Sequence, residues 1–359
     1  MIDLPPRARA LLLLLGGIAL LTGVAGGLVR LGVAFPSTSQ GIAWHGVLMA
    51  SAFFGTLIAL ERAVAIGRLW AYLAPAGSGA GGIAILAGAL QPGFVLLAVG
   101  AAVFAFASAS IWWRERALHT GVLALGALAL FAANLALAYG WPVESVVPSW
   151  LAFFVLTIGG ERLELSRLAP VPRAARLAFG AVAFAQFAAA LTALGWLEPS
   201  LRALGLLFLA TAVWLVRYDI ATRTVRLPGQ TRYIALSLLA GYAWLAIGAL
   251  FIVAWWGRSE GSEAWDAALH SILAGYVFSM VFGHAPIILP AVLRVALPYR
   301  PVLYAPLALL HASLVARVAG DLAAGFAWRR AGALGNAAAI LLFIVVAASL
   351  VYGARRARR

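Results

Sequence analysis

The chain has neither cysteine nor lysine. The first absence excludes disulfides, thiolate metal sites and iron–sulfur clusters. The second makes arginine the sole source of the basic excess: 26 basic residues against 12 Asp and Glu, a formal net charge of +14. Charge of either sign is scarce, at 11% of 359 residues, where soluble domains carry about 25%. In its place stand hydrophobic residues, 64% of the chain, and a mean hydropathy of +0.99. This composition excludes a soluble domain with one anchor and predicts an all-α polytopic membrane protein.

About twelve apolar runs approach the ~20 residues that a bilayer requires. They cover 10–33, 42–60, 69–90, 92–113, 118–140, 146–160, 174–197, 200–217, 232–256, 265–292, 300–320 and 331–354, here spans 1 to 12. QPG at 91–93 reads as the tight turn between spans 3 and 4. The first span follows Arg7-Ala8-Arg9 and lacks a small-residue cleavage site, so it reads as a retained helix and not a signal peptide.

The arginines orient these spans. With both termini cytoplasmic, 20 of them fall on the inner side, from Arg7 and Arg9 through Arg162 and Arg232 to the tail Arg355, Arg356, Arg358 and Arg359, and 6 on the outer side. That asymmetry matches the positive-inside rule. It assigns the chain to a bacterial inner membrane and makes the basic tail an orientation anchor against anionic lipid. A nucleic-acid patch is not needed to explain it.

An internal repeat is legible as well. FFGTLIALER at 53–62 and FFVLTIGGER at 153–162 are one hundred residues apart and close spans 2 and 6. WHGVLMASAFF at 44–54 aligns with LHSILAGYVFS at 269–279, which matches His45 to His270; span 6 has Ser145 at that place. The pattern predicts three four-helix units, about 42–140, 146–256 and 265–354, after the N-terminal helix 10–33. Such repeats are common in membrane proteins.

Four of the five histidines are the candidate ligands. His45 and His270 lie a few residues inside the outer ends of spans 2 and 10, and are expected to share a depth. His284 is ten residues above Arg294 and His311 eleven above Arg300, which predicts a second level pair on antiparallel neighbours. His270 and His284 are fourteen residues apart, about 21 Å of helix and within about 40° of one face. Ionisable groups within lipid are costly and usually functional, and imidazole is a common haem and metal ligand. Gly46, Gly55, Gly275 and Gly283 lie on the same helices and predict room for a macrocycle. The competing reading is a neutral hydrogen-bonding histidine joining helices, worth about 1 kcal/mol. His119, beside Arg114, Glu115 and Arg116, reads as a helix-end residue.

The remaining polar residues have plainer expectations. Glu61–Arg62 and Glu161–Arg162, with Glu164 and Arg167, read as ion pairs that snorkel at cytoplasmic helix ends. Arg317 and Asp321, one turn apart, can pair with each other or meet haem propionates. GSGAGG at 77–82 lies inside span 3, where close helix packing explains it better than nucleotide binding.

Twelve spans with histidines on the second and tenth resemble the catalytic subunit of haem–copper oxidases and nitric oxide reductases, in which histidines from those spans ligate a low-spin haem. His45 and His270 fall in the matching places. The chain is closer still to the NnrS family of haem- and copper-containing membrane proteins. These combine an early His…Met motif, here HGVLM at 45–49, with a later histidine motif, here HSILAG at 270–275 and Gly283-His284. The resemblance covers about 50 residues of spans 2 and 10. Span 6 has no histidine and no His-His pair occurs, so the oxidase copper site has no counterpart.

The resemblance implies an integral haem-binding protein acting in electron transfer or nitric oxide response, with b-type haem at His45 and His270. The matched depths of His284 and His311 add a candidate second haem or copper site, and the absence of soluble domains makes a quinol or a separate redox protein the expected partner. The alternative is a transporter or channel with a histidine-lined proton or metal path. The topology has a direct test: a reporter fused after Arg359 is expected to report a cytoplasmic C-terminus, and periplasmic activity overturns the assignment.

Overall fold

The computed structural model describes residues 3–254 and 262–357. Arg258, Arg358 and Arg359 of the charge tally lie outside the described residues. The described chain is all-α, and twelve of its helices are long and apolar enough to cross a membrane. In order, spans 1 to 12 are Pro6–Arg30, His45–Ile66, Leu69–Leu86, Leu90–Glu115, Leu118–Ala138, Val143–Leu168, Arg173–Thr192, Leu197–Tyr218, Gln230–Ala254, Glu263–Leu293, Pro301–Leu322 and Phe326–Arg356.

Two boundaries depart from expectation for physical reasons. The turn between spans 3 and 4 falls on 87–89, where Gly88 takes φ +83°, and QPG belongs to the first turn of span 4. Pro92 is tolerated there because an N–H in the first turn has no intrahelical acceptor. Span 6 runs eight residues past the hydropathy boundary at 160, because Arg162 finds a buried carboxylate and does not have to leave the helix.

The chain gathers into two compact units: Met1–Gly160 with Phe187–Leu197, and Glu161–Gln186 with Glu198–Arg359. These bounds differ from the four-helix units read from the sequence.

In the first unit, the repeated Phe-Phe pairs are core. Phe54 meets Phe154 at a centroid distance of 4.9 Å, and Phe104 meets Phe153 edge-on at 6.3 Å. The hundred-residue repeat thus places spans 2 and 6 at the same height. Asn134 joins four spans, accepting from Ser51 at 2.6 Å and Trp150 at 3.4 Å and donating to Leu97 O at 3.2 Å. The glycines of span 3 serve close packing as expected: a Cβ at Gly77 would lie 2.8 Å from Gly100 Cα, and one at Gly81 2.9 Å from Gly93 O. Near the N-terminus, buried Arg9 pairs with Asp3, which also accepts from the Tyr72 hydroxyl at 2.7 Å. That hydrogen bond, aided by Arg9, holds the Asp3 carboxyl below its usual range.

In the second unit, spans 9 and 10 pack antiparallel through small residues. Gly248 receives Ile272, Gly241 receives Ser279 and Gly283 receives Ser237. Span 10 contains Pro286 and Pro290. Pro286 has no N–H, which frees the carbonyl of Phe282, and the Tyr233 hydroxyl of span 9 donates to it at 3.0 Å. Phe282 stacks on Phe343 of span 12, centroids 4.1 Å apart. Tyr233→Phe is expected to destabilise the protein by about 1–3 kcal/mol, the cost of a buried unpaired carbonyl. In a Pro286→Ala background, where the helix ladder takes that carbonyl back, the same change is expected to cost much less. Equal losses in the two backgrounds, by thermal unfolding in detergent, would refute the pairing.

Candidate functional site

His45 opens span 2 and lies across span 1. Its Nδ1 meets Gly23 O at 2.6 Å, and a Cβ at Gly27 would stand 2.8 Å from its Cε1. Met49, one turn on, presses its sulfur onto Gly23, where a Cβ would lie 2.9 Å from Sδ. The glycines that admit His45 are therefore those of span 1. A carbonyl can only accept, so Nδ1 carries the proton in this hydrogen bond.

His270 belongs to a charged network at the start of span 10. Its Nδ1 faces Asp266 O at 2.9 Å and Asp266 Oδ1 at 3.2 Å. Arg317 of span 11 binds Asp266 through two nitrogens, at 2.9 and 3.0 Å. Arg329 of span 12 stands 3.0 Å from Asp321 and 3.5 Å from Asp266. Arg317 and Asp321 thus do not pair with each other. Each binds a neighbouring span, because a pair between spans holds two helices together where a pair along one helix holds none.

A seven-residue π-helix follows each of these histidines, Leu48–Phe54 in span 2 and Ser271–Val277 in span 10. π segments cluster at functional sites. Each absorbs an extra residue, so the fourteen residues from His270 to His284 behave as about thirteen α-helical steps and leave the two imidazoles about 140° apart. The expectation of a shared face fails for that reason.

The expected pair of His284 and His311 is also not brought together. Span 11 packs chiefly along 263–277 of span 10, the half that precedes His284. A Cβ at Gly275 would meet Leu314 at 2.9 Å, which sets His311 level with about residue 278, about 9 Å above His284. His284 Nδ1 meets Met280 O at 2.8 Å. His311 Nδ1 instead accepts from Trp244 Nε1 at 3.0 Å. An indole can only donate, so the His311 proton sits on Nε2, which is buried and without a partner. That tautomer offers a metal no lone pair, and His311 leaves the ligand set.

The expected room for a macrocycle is also taken. Gly275 is filled by Trp244, whose Cβ would lie 2.6 Å from an added methyl; Gly55 is filled by Ser78 and Gly283 by Ser237. Gly46 alone of the four is loosely covered, by Trp150 at 4.0 Å. His119 lies near Glu115, 4.0 Å away, at the start of span 5, as a helix-end residue.

Sequence reasoning missed a third polar group. Arg162 grips Asp219, which directly follows span 8, at 2.6 and 3.0 Å. The Asp219 side chain is fully buried and also accepts from Ala221 N at 2.6 Å. Tyr242 of span 9 and Tyr276 of span 10 are buried beside this pair, and His284 lies within its field. The expected snorkelling of Arg162 with the neighbouring glutamates gives way to this partner 57 residues on. The signal was a lone aspartate closing an arginine-rich apolar run, WLVRYD. Breaking a buried pair costs about 3–5 kcal/mol because one charge is left uncompensated, whereas removing both is often neutral. Asp219→Leu is therefore expected to lower stability strongly and Arg162→Met/Asp219→Leu to restore most of it; a double variant as unstable as the single one would refute the pairing.

Among the described residues no three His, Asp or Glu side chains converge as a metal-binding group. No curated protein is significantly similar to the chain. Over residues 9–352, which take in all of these sites, the chain matches and belongs to the family described as a domain of unknown function, DUF8744.

Proposed function

We propose that the chain is an integral membrane haem-binding protein whose ligands come from His45, His270 and His284. One observation carries this reading: each of the three turns Nδ1 to a backbone carbonyl, at 2.6, 2.9 and 2.8 Å. Metal-ligating histidines are oriented in this way, with the other nitrogen free to bind. Haem supplies four ring nitrogens and asks the protein for one or two, so it suits isolated histidines better than an ion needing three or four side chains. Without cysteine the group is held non-covalently, as a b-type haem.

Bound haem would supply one-electron transfer or binding of a diatomic gas such as nitric oxide. The protein's part is to hold the imidazoles. Gly23 and Gly27 seat His45, while Asp266, fixed by Arg317, orients His270. The bilayer is the partner, with a quinol or a redox protein as donor. The arginine distribution supports an orientation with both termini cytoplasmic, and a bacterial inner membrane is the setting this reading assigns.

The buried Asp and Arg side chains of spans 10 to 12 favour a second reading, a transporter with a proton or metal path, because in-span charges commonly mark such routes. Spectroscopy separates the two. Protein purified from haem-replete cells is expected to show a Soret band with sharp reduced α and β bands. These should be lost or shifted in His45→Ala or His270→Ala and unchanged in His311→Ala. A colourless preparation refutes haem binding.

A further inference from the structure

The second unit contains two buried tyrosine hydroxyls without a well-formed hydrogen bond. Tyr242 and Tyr276 are both fully buried, their rings 6.5 Å apart, and neither hydroxyl makes a well-formed hydrogen bond. Tyr242 has the Asp219 carboxylate as its neighbour without a well-formed hydrogen bond to it, and Tyr276 lies in the field of Glu161, Arg162 and Asp219. A third tyrosine on span 9, Tyr233, is equally buried but donates to Phe282 O at 3.0 Å. The difference is thus not one of burial.

A buried hydroxyl left unpaired is destabilising, and two side by side add to that loss. A polar site holds water when it offers each molecule two to four partners. Here two phenols converge on a carboxylate and a guanidinium. We propose that Arg162, Asp219, Tyr242 and Tyr276 line a hydrated site, with ordered water bridging the ion pair to the two phenols. The site lies beside Tyr242, twelve residues into span 9 and about 18 Å of helix from the start of that span. It carries an aqueous contact into the middle of the unit without exposing any of these groups to lipid. The inference stands apart from the haem reading and uses no histidine.

Hydroxyl-radical labelling tests it without any variant. Radicals made by a millisecond pulse react with side chains that touch water, and mass spectrometry reads each tyrosine separately. The intact protein in lipid nanodiscs supplies its own control. Tyr233 lies only three residues into span 9, nearer the membrane edge than either phenol, yet is satisfied by the backbone. Tyr242 and Tyr276 are expected to be modified about tenfold faster than Tyr233, the reverse of their order by depth, because only they contact bound water. Labelling of both as slow as that of Tyr233 overturns the proposal.

Discussion

Hydrocarbon offers no hydrogen-bond partner, and every polar group on these helices has to find one inside the protein. That constraint explains features that would otherwise look unrelated. Pro286 frees a carbonyl and Tyr233 of the next span covers it. Arg162 stays in its helix because Asp219 meets it with two oxygens. Asn134 can be buried because it uses both its donor and its acceptor atoms on three other spans. Where partners are lacking, as at Tyr242 and Tyr276, the same constraint points to water.

It also separates the histidines into two kinds. His45, His270 and His284 donate a hydrogen bond from Nδ1 to a carbonyl. At His311, Nδ1 instead accepts a hydrogen bond from the Trp244 indole and spends its lone pair on that helix partner. Composition and depth cannot make this distinction, since all four are imidazoles in apolar runs. Only the neighbour's chemistry, a carbonyl in three cases and an indole in the fourth, decides which nitrogen is available.

The parts of the fold that depend on length and hydropathy were legible in the sequence: twelve spans, most of their ends within a turn, and close packing at GSGAGG. Phe54 and Phe154 of the repeated Phe-Phe pairs meet in the core of the first unit. What depended on rotation about a helix axis was not legible. A single extra residue in a π turn swings His284 away from the face of His270, and no hydropathy pattern marks it. Long-range partners were hidden for a similar reason. Asp266 is one turn before His270 and was within reach of sequence reasoning, but its choice of Arg317 over Asp321's claim on that arginine depends on how spans 10 and 11 are staggered.

That stagger has a consequence for the network at the start of span 10. Two arginines and two aspartates meet there, and one carboxylate, Asp266, touches His270 directly. A carboxylate at the Nδ1 side of an imidazole favours electron donation from Nε2. Arg317 draws on the same carboxylate, and its two-nitrogen grip fixes the Asp266 orientation. The His270 ring is thereby held through a carboxylate that is itself anchored to the next span, so the stagger of spans 10 and 11 sets the orientation of the imidazole.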